Sequence, residues 1–220
     1  MTGNLLERAW VGGTVRDRVL VEIEDGRLTA VTPDAGGAAG AAGVVRVPGL
    51  TLPGLANTHS HAFHRALRGR AQAGRGTFWT WREQMYAVAG RLDPDLYYDL
   101  ARATYAEMLA AGYTAVGEFH YLHHQPDGRP YDDPNAMGHA LLAAARDAGI
   151  RITLLDTLYL SSGFGDAPEG VQRRFSDGTA EAWRERVSAL TAPEDTARIG
   201  VAAHSVRAVP AAALPAVAAQ

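Results

Sequence analysis

Cysteine is absent from the 220 residues. That removes disulfides, thiolate zinc ligands and cysteine nucleophiles together. Lysine is absent too, so all 21 basic residues are arginine. Neither a Schiff-base lysine nor a phosphate-cradling P-loop lysine can exist here. No uninterrupted apolar run reaches the ~18 residues that a membrane span needs. The first thirteen residues carry Glu7 and Arg8 and lack the apolar stretch of a secretory signal, so the expected compartment is the cytoplasm. There is little charge excess either: the formal net charge is −3. A general nucleic-acid or membrane-surface binder is therefore not expected. What is present is an ordinary globular composition, 47% hydrophobic, in a chain long enough for one substantial core and one or two domains.

The first fifty residues read as strands. Leu5–Val11 is a short run. Val19–Ile23 meets the turn Glu24-Asp25-Gly26, and Arg27–Val31 resumes extended structure. Residues 36–43 are only Gly and Ala, a flexible loop. Val44–Val47 is one more strand. From Leu50 the pattern changes to strands alternating with helices. Leu55–His59, Tyr113–Phe119, Ile150–Leu158 and Ile199–Ala203 read as strands. Helices start at Asp93-Pro94, at Asp133-Pro134 and at Thr179, and another begins at Pro210. Asp serves as cap with Pro in the first turn, and Gly112 and Gly149 stop the first two. Strict alternation argues for a parallel sheet with crossover helices. Four such strands are half of a (β/α)8 barrel, so the sheet is either open or the front of something longer.

The polar residues gather at the strand C-termini, the edge where parallel α/β proteins build sites. Asn57-Thr-His-Ser-His61 is the sharpest signal. Residues i and i+2 of a strand share a face, so His59 and His61 can converge on one ion. The plain alternative is two exposed loop histidines. His204 closes the fourth strand, as a ligand, a substrate contact or a histidine satisfied by backbone. Arg207 follows it and could grip a carboxylate bidentately, although a lone arginine is more often a surface residue. Phe78-Trp-Thr-Trp-Arg-Glu83 follows a Gly- and Arg-rich loop. Its tryptophans suit packing, and Arg82 could clamp a substrate or stack on an indole. His120 and Tyr121 could reach a ligand at the rim, His123 and His124 read as solvated loop residues, and Asp156 reads as a buried structural carboxylate.

At Leu52-Pro-Gly-Leu-Ala-Asn-Thr-His-Ser-His61 the chain resembles the amidohydrolase superfamily. At Phe78-Trp-Thr-Trp-Arg-Glu, Glu118-Phe-His-Tyr-Leu-His-His and His204-Ser-Val-Arg207 it is similar, within that superfamily, to the formimidoylglutamate deiminases. The resemblance runs from about Trp10 to the end. It implies an α/β fold: the first half of a (β/α)8 TIM-like barrel, preceded by part of a small β-sandwich. Residues 1–50 would be the partial sandwich and 51–220 the first four β/α units. It further implies one zinc per subunit, with His59 and His61 as ligands, and zinc-dependent hydrolysis of N-formimino-L-glutamate to N-formyl-L-glutamate and ammonia, a step of histidine degradation. His64, Arg82, Tyr121, His204 and Arg207 take substrate roles. The partners implied are a small substrate with two carboxylates and a second copy in a homodimer.

Three departures qualify that expectation. The family pattern continues His-Ser-His-Ala-Phe-Gln, whereas His64 stands here. The remaining zinc ligands and the acid/base residues belong to strands beyond the fourth, so no catalytic residue is expected within these 220 residues and the chain alone is expected to be inactive. The sandwich lacks its later strands. The competing readings are another deaminase of the superfamily, acting on a nucleobase or a guanidine, and a non-catalytic fragment.

Overall fold

The computed structural model describes residues 2–71, 76–193 and 195–220. Part of the Gly- and Arg-rich loop before Phe78, residues 72–75, thus lies outside the described residues. The chain divides into two compact units, Met1–Gly54 and Leu55–Gln220.

The first unit is one four-stranded sheet: β1 (Thr2–Val11), β2 (Thr14–Glu24), β3 (Arg27–Thr32) and β4 (Val44–Thr51), in the order β3-β2-β1-β4. β1 and β4 run parallel and the other pairs antiparallel. Two tight turns fold the hairpins. Asp25 and Gly26 both take positive φ, the left-handed pair that a two-residue hairpin requires. Gly12 and Gly13 do the same between β1 and β2, a hairpin that the sequence reading left open. Leu6, Ala9 and Val19 form its small buried cluster. The Gly/Ala stretch is not a plain loop, since a short 3-10 turn spans Gly36–Ala38.

The second unit alternates strand and helix. β5 (Leu55–Ser60), β6 (Tyr113–His120), β7 (Arg151–Leu158) and β8 (Ala197–Ala203) pair in that order, all parallel. Between them run α1 (Phe78–Ala89), α2 (Pro94–Ala110), α3 (Ala136–Ala148) and α4 (Ala180–Ser188), and a short α5 (Leu214–Ala218) follows β8. Along β6 and β7 burial alternates from residue to residue, Thr157 excepted. Val116, Glu118 and His120 of β6 and Ile152, Leu154, Asp156 and Leu158 of β7 are buried, while Ala115, Gly117, Phe119, Thr153 and Leu155 between them are not. The period of two puts the first set on one face and the second on the opposite face.

Helix starts follow cap chemistry, with two departures. Asp93 caps α2, its carboxylate accepting from the Leu96 N–H at 2.8 Å, and Pro94 opens the first turn. Asp133 does not cap α3. Its Oδ1 accepts from the Asn135 N–H and its Oδ2 binds His139, so the helix starts two residues later than the Asp-Pro signal. α1 was not foreseen. It is nucleated by a reciprocal Thr77/Thr80 box, with a hydroxyl at the position where Glu or Gln is the usual signal. At the chain end the helix expected from Pro210 is a 3-10 turn at Ala211–Ala213 leading into α5.

Candidate functional site at the sheet edge

β5 carries one of the two expected metal ligands, His59, and its end is irregular. Asn57 pairs with Val116 and Ser60 with Glu118, so Thr58 and His59 together oppose the single residue Gly117. That is a bulge, and bulges re-aim side chains. The Asn57 side chain accepts from the His59 N–H at 3.1 Å and fixes the step locally. His61 lies just past the strand. Its ring sits 5.1 Å from that of His59, edge to face. Convergence therefore comes from bulge and turn, not from the plain strand pleat.

The His61 Nδ1 lies 3.3 Å from the Phe119 carbonyl oxygen. Donation there fixes the tautomer that leaves Nε2 bare, the arrangement that metal-ligating histidines use. Burial pulls the His61 imidazole pKa down, against that backbone bond and with help from His59, so the ring is held neutral. Its surroundings thus suit His61 as a ligand, and His59 beside it is exposed. Two imidazoles fall one short of the three protein ligands of a catalytic zinc.

The remaining expected site residues gather beside this pair. His64 stacks 4.6 Å from His61 and shares a 2.9 Å hydrogen bond with the Tyr121 hydroxyl. Burial, with His61 and His59 adding, holds the His64 imidazole down at about 3. Tyr121 stands 5.0 Å from His204, ring to ring. Burial, then His61 and Arg207, lowers His204 to about 4. Tyr121, His204, Arg82 and Arg207 line one cavity of about 160 Å³, walled largely by aromatic rings that include Trp81, Tyr159 and Phe175. Arg82 donates to the Tyr86 hydroxyl at 2.8 Å and lies over the Trp79 and Tyr86 rings. Arg207 is exposed and reaches 6.0 Å from the Phe78 ring. No carboxylate lines this cavity among the described residues.

Three readings of single residues are corrected. His123 and His124 are not solvated. Both are buried, because the loop after β6 turns inward and their backbone N–H groups bond the Arg174 carbonyl. His120 points away from the rim, to the helix-covered face, where its Nε2 lies 3.3 Å from His123 Nδ1. Trp79 is not packed in a core, being 60% exposed. Asp156 is the buried structural carboxylate that its apolar neighbours suggest: Arg186 grips both its oxygens at 2.8 and 2.9 Å, and the Trp183 indole donates to it.

Among the described residues His120, His123 and Asp156 form a cluster close enough to share an ion. The chemistry opposes one. Both Asp156 oxygens are taken, the Arg186 guanidinium sits against them, and His123 Nε2 faces the Thr157 carbonyl at 3.1 Å. The group is a sealed hydrogen-bonded network that continues through Arg186 to Asp177 and His124. Burial lowers His120 well below its ordinary value and His123 to about 4.

The sequence reading gave Glu118 no role. It is fully buried, and its two oxygens accept from Ser60 and Ala62, the residues on either side of His61. The signal was available: a carboxylate at the apolar-facing position of a strand must find buried donors.

A parallel sheet flanked by helices, with a histidine pair at the C-terminal end of its first strand, defines the front four units of a (β/α)8 hydrolase barrel. The chain belongs to the amidohydrolase family, whose model matches residues 50–220. It is 45% identical over 217 residues to the formimidoylglutamate deiminase of Pseudomonas aeruginosa, covering 95% of this chain and 47% of that protein. It is 32% identical to 5-methylthioadenosine/S-adenosylhomocysteine deaminase 1 of Syntrophus aciditrophicus, covering 68% of this chain and 33% of that one. Among solved structures, an amidohydrolase from Brucella melitensis superposes with a TM-score of 0.84 at 35% identity, over 99% of this chain and 49% of that chain. The atrazine chlorohydrolase TrzN from Arthrobacter aurescens, complexed with zinc, gives 0.78 at 22% identity, over 100% and 50%, and shares the fold. The chain spans about half the length of the Pseudomonas deiminase and matches a third of the Syntrophus deaminase. With these relatives, the second unit is four β/α units of the amidohydrolase barrel, and the first is part of its β-sandwich.

Proposed function

We propose that this chain supplies the front half of a zinc-dependent site that hydrolyses N-formimino-L-glutamate to N-formyl-L-glutamate and ammonia, the deimination step of histidine degradation, in the cytoplasm. The observation that carries the reading is the charge of the cavity: two arginines line it and, among the described residues, no carboxylate does. The substrate carries two carboxylates, and a guanidinium fork suits a carboxylate better than any other side chain. The 45% identity to the Pseudomonas deiminase supports the same substrate.

His59 and His61 would hold the ion, one per subunit. Such an ion lowers the pKa of water towards neutrality and so supplies a nucleophile at pH 7. This chain's own residues do the rest of the binding. Arg82 and Arg207 hold the two carboxylates. The aromatic wall excludes water and strengthens those charge contacts. Tyr121, fixed by His64, and His204 offer hydrogen bonds to the formimino nitrogens. In the overall reaction water adds to the amidine carbon, the C–N bond to the terminal nitrogen breaks, and that nitrogen leaves as ammonia.

The test is ammonia release from N-formimino-L-glutamate by the complete product of the reading frame that carries this sequence. Guanine and 5-methylthioadenosine are assayed beside it. Turnover of formiminoglutamate alone is expected. Turnover of a neutral base in its place would transfer the site to the other deaminases, and zinc uptake without any turnover would reduce the chain to a binding module. Arg207→Ala should cost about 2–4 kcal/mol in kcat/KM if substrate binding buries this exposed guanidinium against a carboxylate, the range for truncating a charge partner that is buried in the complex. An unchanged value would return Arg207 to the surface.

A further inference from the structure

Glu118 stands where the backbone ladder fails. β5 pairs with β6 at Ala56 and Asn57, after a first register shift behind Leu55, and the bulge then breaks the pairing until Ser60. Beyond Ser60 the chain leaves the sheet. The segment that carries both candidate ligands therefore lacks a continuous main-chain ladder to β6. The Glu118 side chain fills that gap. Its Oε2 accepts from the Ser60 hydroxyl at 2.5 Å and its Oε1 from the Ala62 N–H at 2.6 Å. Both bonds are buried and bridge 58 and 56 residues of chain. Together they clamp the residues before and after His61. The next residue of β6, Phe119, supplies the carbonyl that fixes the His61 ring. One dipeptide, Glu118-Phe119, thus sets both the backbone and the ring of His61. The Glu118 hydrogen bonds go to Ser60 and Ala62 and not to the histidine rings, and Glu118 is not among the residues that line the cavity.

We infer that Glu118 is the positioning residue of the His59–His61 metal pair, a buried carboxylate that replaces the lost strand ladder and holds the pair in ligand geometry. The inference rests on the metal site proposed above. Outer partners of ligating groups typically change metal affinity by about 10–100-fold when removed. A carboxylate accepting two buried bonds at once is a strong version of such a partner.

The test uses the complete product of the reading frame that carries this sequence, with Co²⁺ as the probe ion and ring-¹⁵N-labelled histidine. Glu118→Ala removes both bonds. Glu118→Gln keeps them, accepting from Ala62 and donating to Ser60 Oγ. Ser60→Ala removes one. In the wild type, His61 should show a single ring tautomer without metal. In Glu118→Ala that signal should become a mixture, and Co²⁺ affinity should fall at least about tenfold. Glu118→Gln should restore both readouts, and Ser60→Ala should lie between. Wild-type ring signals, or wild-type Co²⁺ affinity, in folded Glu118→Ala overturns the inference. Should Glu118→Ala fail to fold, Ser60→Ala against Glu118→Gln decides on the same readouts. If the wild type takes up no Co²⁺, the metal-site reading falls, while the ring signals still decide what Glu118 does.

Discussion

Glu118 also shows how one residue can carry opposing demands. Burial pushes its carboxyl up to about 7, and the donors from Ala62 and Ser60 only partly counter that. The folded value lies above the ordinary value of 4.5. The folded chain therefore binds this proton more tightly than the unfolded chain does. Its favourable contribution is complete below about pH 4.5 and is lost as the pH rises through 7. Glu118→Gln removes that dependence. We expect Glu118→Gln to be more stable than wild type at pH 8 and to approach it at pH 5, measured by urea unfolding without added metal. Equal stability at pH 8 would count against a costly buried carboxylate. The histidine pair was legible because two imidazoles two apart after a strand are visible in any reading of residue types. Glu118 was present in the same sequence, but its meaning depends on a bulge, which residue types do not announce.

Elements were legible where their ends are written in local chemistry. Asp93-Pro94 and Gly112 bound α2 because cap, proline and left-handed glycine act on neighbouring backbone. α1 was missed because a threonine box lacks the usual acidic signature. His123 and His124 were misplaced because the loop after β6 is pulled inward by Arg174, about fifty residues later, and no local rule reaches that far. At this scale α4 is the most exposed to a single change. Arg186 is its anchor, bonded to Asp156, Asp177 and Asn135. Burial would raise the Asp156 carboxyl, but His123 and Arg186 outweigh it and hold it at about 2. Arg186→Met would leave two buried carboxylates without their counter-ion, at a cost of about 3–5 kcal/mol. Urea unfolding measures it, and a loss under about 1 kcal/mol, the median for exposed pairs, would place the network in solvent.

For the whole molecule, titration separates two regimes. Burial lowers His61, His64, His120, His123 and His204, so each is neutral in the fold and protonates near 6.5 when unfolded. Their contributions are complete above about pH 6.5 and are lost as the pH falls towards 4. Glu118 runs the other way across 4.5 to 7. Several imidazoles outweigh one carboxylate, so we expect stability to peak between about pH 6 and 7 and to fall steeply by pH 4.5. A urea midpoint that stays level from pH 6.5 to 4.5 would mean the imidazoles are open to solvent. The parallel order of the sheet was readable from strict alternation of strand and helix. Which face the helices cover was not, because alternation gives each strand two faces without choosing between them.

Arg174 ties the second unit together in a further sense. It is fully buried, no carboxylate hydrogen-bonds it among the described residues, and its guanidinium donates to the carbonyls of Ala89, Leu92 and His124. These contacts span 85, 82 and 50 residues of chain. Such loops close late, because their entropic cost must be met before the contacts form. We therefore expect Arg174 to lock in place after the folding nucleus has formed. Replacing it with methionine should leave the refolding rate nearly unchanged and accelerate unfolding, so the wall of the cavity would open long before the sheet does.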